Sequence, residues 1–305
     1  MFTIVKKTEQ LPIGGITITI YGDAGTGKTT LANTARNPIV IDFDNGYHRA
    51  AYRQEFVPIS SWRDIADHQA EFFAAIADYD TIVIDTVGAM LDYLQIYLVE
   101  QNPKLEKATM QMYGELKKNF QDFHRKLMAM GKDIVFIAHA KEKEENEQRI
   151  KRPLLVGSSY DLVVQKSDLV GYMTVLNGRT ILDFDASETK IGKNCANLDP
   201  MPIGSLADVE NFMDNLIQKV KASLQRQSEE QEESINKIKV ILSELQTTGD
   251  IDSINAFVSK VKASRFTKVE KLQIWEHTKK HGESLGFVYN AKAAKFTNQS
   301  EEEAQ

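Results

Sequence analysis

Eight consecutive residues, Gly22, Asp23, Ala24, Gly25, Thr26, Gly27, Lys28 and Thr29, carry the spacing G-x-x-x-x-G-K-T. They follow an alternating apolar run over residues 16–21 and precede the helix-prone residues 30–34. Strand, glycine-rich loop and helix in that order make a phosphate cradle. Glycines let the loop turn its N–H groups inward, and the helix start adds a positive dipole end. Such a loop binds a nucleoside triphosphate. Lys28 would reach the β- and γ-phosphates, and the Thr29 hydroxyl would ligate Mg²⁺. Gly22 to Thr29, together with Thr30, form the predicted nucleotide-binding set, with ATP and Mg²⁺ as the expected cofactors.

A second carboxylate fits the same chemistry. Residues 81–85 are four strand formers ending in Asp85, the pattern of a Walker B strand whose carboxylate orders Mg²⁺. Thr86 follows it, where the AAA+ class carries its water-activating glutamate, which argues against that class. The base must come from elsewhere. Residues 38–43 read as the strand after the P-loop helix. Asp42 and Asp44 share a side by the two-residue period, so either could orient the attacking water or instead cap the turn at Asn45 and Gly46. Residues 133–138 form another buried strand that delivers His139 to a sheet edge, where an imidazole can sense the γ-phosphate.

These residues must be held by a mostly parallel α/β sheet. Further strands are expected at 169–176 and 180–184, and helices at 28–36, 61–77, 87–100, 110–130 and 205–225, with Ser205 as N-cap of the last. An ATPase core is expected over 1–228. The acidic stretch around 229–234 is either a linker or an exposed helix continuation. A small basic helical module is expected over 235–297 and an acidic, disordered tail over 298–305. The charge is split: residues 235–300 hold eleven Lys and Arg against six Asp and Glu, while the whole chain carries a net charge of -6. Bulk charge therefore excludes a protein that coats nucleic acid indiscriminately. A single cysteine, Cys195, excludes an internal disulfide and fits a reducing cytoplasm. No apolar run reaches the ~20 residues of a membrane span, so no membrane partner is expected.

The chain resembles the RecA/RadA-type ATPase core. Its closer likeness is to phage nucleotide-binding proteins with a RecA-like AAA domain, the Sak-four type of single-strand annealing ATPase. The resemblance rests on the P-loop, Asp42 to Asp44, residues 82–85, 113–116, 139–141 and 199–202, and it covers about residues 14–225. It implies a RecA-like P-loop fold and an ATPase stimulated by single-stranded DNA in recombination, annealing or repair. Asp44 takes the position of the water-orienting acid. The family often has glutamate there, and the shorter aspartate implies slow hydrolysis. Lys190 and Lys193 match the cations that one subunit places on its neighbour's γ-phosphate, which implies a homo-oligomer, ring or filament; a basic solvated turn is the other reading.

The loop behind His139 would face DNA through Arg149, Lys151 and Arg152. With five cations against four acids over residues 141–152 it is nearly neutral, and a charged hairpin explains it equally. Lys268, Lys271, Lys279 and Lys280, with aromatic residues interleaved further on, fit single-strand binding or a solvated helix face over core aromatics. A single-strand-binding protein is a further possible partner, and the host cytoplasm the place if the chain is phage-encoded. The alternative function is a nucleotide-dependent loader that remodels a protein partner.

Overall fold

The computed structural model describes residues 13–49, 52–145, 148–155, 159–204 and 210–298. In chain order the elements are β1 (Thr17–Gly22), α1 (Lys28–Ala32), β2 (Pro38–Asp42), β3 (Glu55–Pro58), α2 (Arg63–Ala66), α3 (Gln69–Ala75), β4 (Thr81–Asp85), α4 (Val87–Gln101), α5 (Thr109–Ala129), β5 (Asp133–Glu145) and β6 (Gln148–Pro153). Then come α6 (Ser159–Lys166), β7 (Leu169–Leu176), β8 (Arg179–Asp183), β9 (Lys193–Asn194), β10 (Met201–Ile203), α7 (Phe212–Leu245), α8 (Ile251–Ala263), α9 (Lys268–Ser284), β11 (Phe287–Asn290) and β12 (Lys295–Asn298).

The fold is α/β. Its main sheet runs β10-β8-β7-β1-β5-β4-β2-β3. The stretch from β7 to β3 is parallel throughout, and β8 and β10 add an antiparallel edge. β2 and β4 are buried at every residue, as strands covered on both faces must be. The two-residue period sorts their side chains: Ile18, Ile20, Val40, Val83 and Val135 pack with Leu31 and with Met213, Leu216 and Val220 of α7. Ile39, Ile41, Ile82, Ile84 and Phe136 face the other way, toward Leu91 and Leu94 of α4 and Leu116 and Phe120 of α5.

Parallel register brings the strand ends that matter to one edge. Gly22 pairs with His139, and Asp42 with Asp85. Beyond His139 the chain continues as a β5–β6 hairpin in which Lys141 pairs with Arg152 and Glu142 with Lys151.

The described residues divide into two compact units, 13–224 and 225–298. Residues 229–234 are helical, within α7. The second unit has its own core of Ile241, Leu245, Ile254, Phe257, Val258, Ile274 and Phe296. Capping boxes start both of its later helices, Asp250 with Ser253 and Thr267 with Glu270. It is not purely helical: β11 and β12 close it as an antiparallel hairpin.

Several expected elements differ in extent. α1 stops at Ala32 because the Thr34 hydroxyl donates to Leu31 O at 2.7 Å and the Asn33 amide to Tyr52 O at 3.0 Å, which draws that turn away from helix. The segment 61–77 breaks into α2 and α3 around Asp67 and His68. Ser205 and the residues 299–305 of the expected tail lie outside the described residues. No helix among the described residues is long and apolar enough to cross a membrane.

Candidate nucleotide site

Leaving β1, the chain turns sharply at two glycines, Gly25 at φ 77° and Gly27 at φ 91°, a region open to glycine at no steric cost. Gly22 is needed for a different reason: a Cβ there would stand 2.2 Å from Met173 O of β7. Inside the loop the Lys28 ammonium donates to Gly22 O at 3.0 Å and Asp23 O at 2.7 Å. Burial pushes its pKa down, against the pull of Asp85 and Asp23. The cation is thus threaded through the loop that would wrap the phosphates.

The Thr29 hydroxyl donates to Asp85 Oδ2 at 2.6 Å. That bond uses the hydroxyl proton and leaves the oxygen lone pairs for a metal. Among the described residues no group of three or more His, Cys, Asp or Glu is arranged as a metal-binding set. Thr29 and Asp85 nevertheless fit Mg²⁺, which keeps several waters and takes its remaining ligands from substrate phosphates. Burial, foremost, and then Asp42 and Asp44 hold the Asp85 carboxyl above the usual range; Thr29 and Lys28 act in the opposite sense. A divalent cation there would relieve that repulsion.

Asp42 and Asp44 part company. β2 ends at Asp42, so the two do not continue one strand face. Asp42 is buried and its Oδ2 accepts the Tyr47 N–H at 3.2 Å, closing the turn. Asp44 is exposed, and its N–H donates to Asp85 O at 3.2 Å beside that of Phe43 at 2.7 Å. It lines a cleft of about 430 Å³ with Thr86, Asp92, His139, Lys141 and Leu154. Here the sequence-predicted acid and sensor meet. Thr86 is committed elsewhere, since its hydroxyl accepts from Ala89 N at 3.2 Å as N-cap of α4. Lys141 belongs to the segment 139–141 that carries the resemblance, whereas Asp92 of this cleft had no sequence signal beyond its charge.

On the α1 side of the loop a second cleft, about 200 Å³, is lined by Thr30, Leu31, Met173, Thr180 and Ile203. Its apolar walls and hydroxyls suit a nucleoside. Met173 and Ile203 were not anticipated, because nothing local in a sequence says which strands flank a P-loop.

The remaining expected cations are placed as follows. Lys190 Nζ pairs with Asp183 Oδ2 at 3.0 Å, and Lys193 Nζ donates to Ser167 O and, at 3.3 Å, Gln165 O. Both ammonium groups are engaged within their own chain. Arg149 is exposed on the hairpin. Arg152 stacks over the Tyr160 ring at 5.0 Å, and Lys151 is turned to Asp23 of the P-loop at 3.6 Å. Lys268, Lys279 and Lys280 are exposed on α9, while the Lys271 ammonium donates to Lys262 O at 2.9 Å. The aromatics near them belong to the core: Phe296 is 1% exposed and packs with Trp275 and Tyr289.

Residues 14–196 match the AAA domain family (AAA_24), well over half of the chain. The chain belongs to this family. It is 29% identical over 168 residues to the SPbeta prophage-derived uncharacterized protein YorG of Bacillus subtilis (strain 168), covering 52% of this chain and 51% of YorG. The chain thus matches about half the length of that relative. Among solved structures it is similar to the KaiC-like protein PH0186 from Pyrococcus horikoshii OT3, at 13% identity and a TM-score of 0.32, over 55% of this chain and 77% of that one. The flagellar accessory protein FlaH from Methanocaldococcus jannaschii matches at 12% identity and a TM-score of 0.28, over 55% and 76%. The family match covers the P-loop together with Asp44, Asp85 and His139.

Proposed function

We propose that the chain binds and hydrolyses Mg²⁺-complexed ATP and spends the cycle on single-stranded DNA, as a recombination protein of the Sak-four annealing type. The carrying observation is the Thr29–Asp85 hydrogen bond of 2.6 Å beside Lys28, with Asp44 and His139 facing one cleft next to it. Lys28 binds the β- and γ-phosphates. Thr29 and Asp85 would hold Mg²⁺, which would supply positive charge to the phosphates. Asp44 accepts a hydrogen bond from the attacking water and positions it. His139 links that cleft to the hairpin, because the β5–β6 hairpin continues directly from it. Lys190 and Lys193 serve a neighbouring copy, exchanging their in-chain partners on assembly. The likeness to a prophage-derived relative and the basic balance of residues 235–300 support the DNA half.

One observation favours the loader reading: the hairpin is nearly neutral, and Lys151 and Arg152 are turned inward on it. Turnover measured with and without single-stranded DNA separates the two. Under the first reading turnover rises with DNA and is abolished in Lys28→Ala. Absence of DNA binding in every nucleotide state would leave the loader ahead, and turnover surviving Lys28→Ala would reject the site itself.

A further inference from the structure

The hairpin reaches the P-loop through one side chain. Lys151 on β6 is fixed by its backbone on two sides: its N–H donates to Thr189 O at 2.8 Å and its carbonyl accepts from Ile191 N at 3.0 Å. The Tyr21 hydroxyl, one residue before the P-loop, lies 3.1 Å from the same carbonyl. Only the side chain is left to move. Its ammonium lies 3.0 Å from Glu142 Oε1 across the hairpin and 3.6 Å from Asp23 Oδ1 at the lip of the loop. The Asp23 contact is longer than a hydrogen bond, so it is Coulombic and readily exchanged.

The place of that ammonium along a bound nucleotide follows from the two ends of the loop. The cleft that suits a nucleoside runs from Thr26 and Gly27 of the loop to Thr30 and Leu31 on α1. Asp23 sits at the opposite, strand end. A triphosphate laid through the loop runs its terminal phosphate toward Asp23. That phosphate carries more negative charge than the lone carboxylate and competes with it for the cation.

We propose that Lys151 is a terminal-phosphate-binding residue, supplied in cis by the hairpin, which leaves Asp23 for the γ-phosphate when ATP is bound. The Lys151 side chain then distinguishes a bound nucleotide with three phosphates from one with two. This rests on the P-loop reading above and deepens it.

The test compares ADP with a non-hydrolysable ATP analogue, both with Mg²⁺, on the full chain. Lys151→Ala should weaken analogue binding about tenfold, the size of one charge-assisted hydrogen bond, and leave ADP binding unchanged. Lys151→Met keeps the aliphatic stem, removes the charge and should behave alike, which covers the case of an alanine variant that does not fold. The same selective loss should persist when Lys151→Ala is added to Asp23→Asn. If the loss disappears in that background, Lys151 merely neutralises Asp23 and the proposal is overturned. Equal loss for both nucleotides, or none, overturns it too. Each of these outcomes leaves Lys28-dependent binding intact; a wild-type chain that binds neither nucleotide would instead remove the P-loop reading along with the proposal.

Discussion

Under the proposed function, Asp85 would serve a metal jointly with Thr29. Asp85 accepts the hydrogen bond of the Thr29 hydroxyl at 2.6 Å, which leaves the lone pairs of that oxygen for a metal. Asp85→Asn keeps the shape, removes the charge and can present an NH₂ where an acceptor stood. The Mg²⁺ concentration for half-maximal turnover should then rise about 10- to 100-fold, the cost typical of losing a partner of this kind. Thr29→Ser, which keeps the hydroxyl, should shift it far less. A pH titration gives an independent check. Burial and the neighbouring carboxylates raise the Asp85 pKa, so the proton competes with Mg²⁺ at a higher pH than it would at an ordinary aspartate, whose pKa is about 3.9. As pH falls, the Mg²⁺ requirement should climb before that value is reached, and the climb should be absent in Asp85→Asn.

Among the elements, α5 is tied to β1 by a buried polar contact. His124 Nε2 lies 3.0 Å from Thr17 Oγ1, and His124 is 6% exposed. Burial, then Lys166, lowers its pKa from 6.5 to about 4. The folded chain keeps it neutral where the unfolded chain takes up a proton. Stability therefore falls as pH drops below about 6.5, and the loss levels off below about pH 4, on the order of 3 kcal/mol. Denaturant unfolding at several pH values should show this slope, and His124→Gln should flatten it. A variant with the wild-type slope would place the proton uptake elsewhere. The elements themselves were unevenly legible. β4 and β7 stand where the sequence places them, because continuous apolar runs bounded by polar residues leave little choice. β3 was missed: it is an edge strand, largely exposed, that ends at Pro58, and it has no apolar pattern to read. α6 is short and weakly patterned, and β11 and β12 are four residues each. The sequence places Asp44 and His139 at strand ends; in the structure Asp44 lies two residues beyond the end of β2 and His139 lies within β5, which runs on to Glu145, and both still line one cleft. Lys151 was read as a DNA cation, since the alternating charges of residues 141–152 do not say which face of a hairpin meets the P-loop. The contact of Lys151 with Asp23 of the P-loop is visible only in the fold.

At the scale of the whole molecule, the two units carry different chemistry. The nucleotide residues lie in the unit 13–224, whereas the basic surplus of eleven cations over six acids lies in residues 235–300 of the other unit. If single-stranded DNA is held by that surplus, its grip is electrostatic: Trp275, Tyr289 and Phe296 pack on one another and Phe296 is in the core, which limits base stacking. An electrostatic grip has a measurable signature, because each phosphate contact contributes about -0.7 to the slope of log K against log salt on a single strand. Lys268, Lys279 and Lys280 are exposed on α9, and Lys271 is half-buried with its ammonium on Lys262 O. Changing Lys268, Lys279 and Lys280 together to Gln should therefore weaken binding alike for all sequences and reduce the slope by up to about 2. The Lys271→Gln change alone should do less than any of these, since its charge already serves a carbonyl. Arg149→Gln on the exposed hairpin supplies the comparison from the other unit. A slope that moves with Arg149 and stays fixed through the three lysine changes would place the DNA on the hairpin beside the nucleotide, and would assign the basic unit to a different partner.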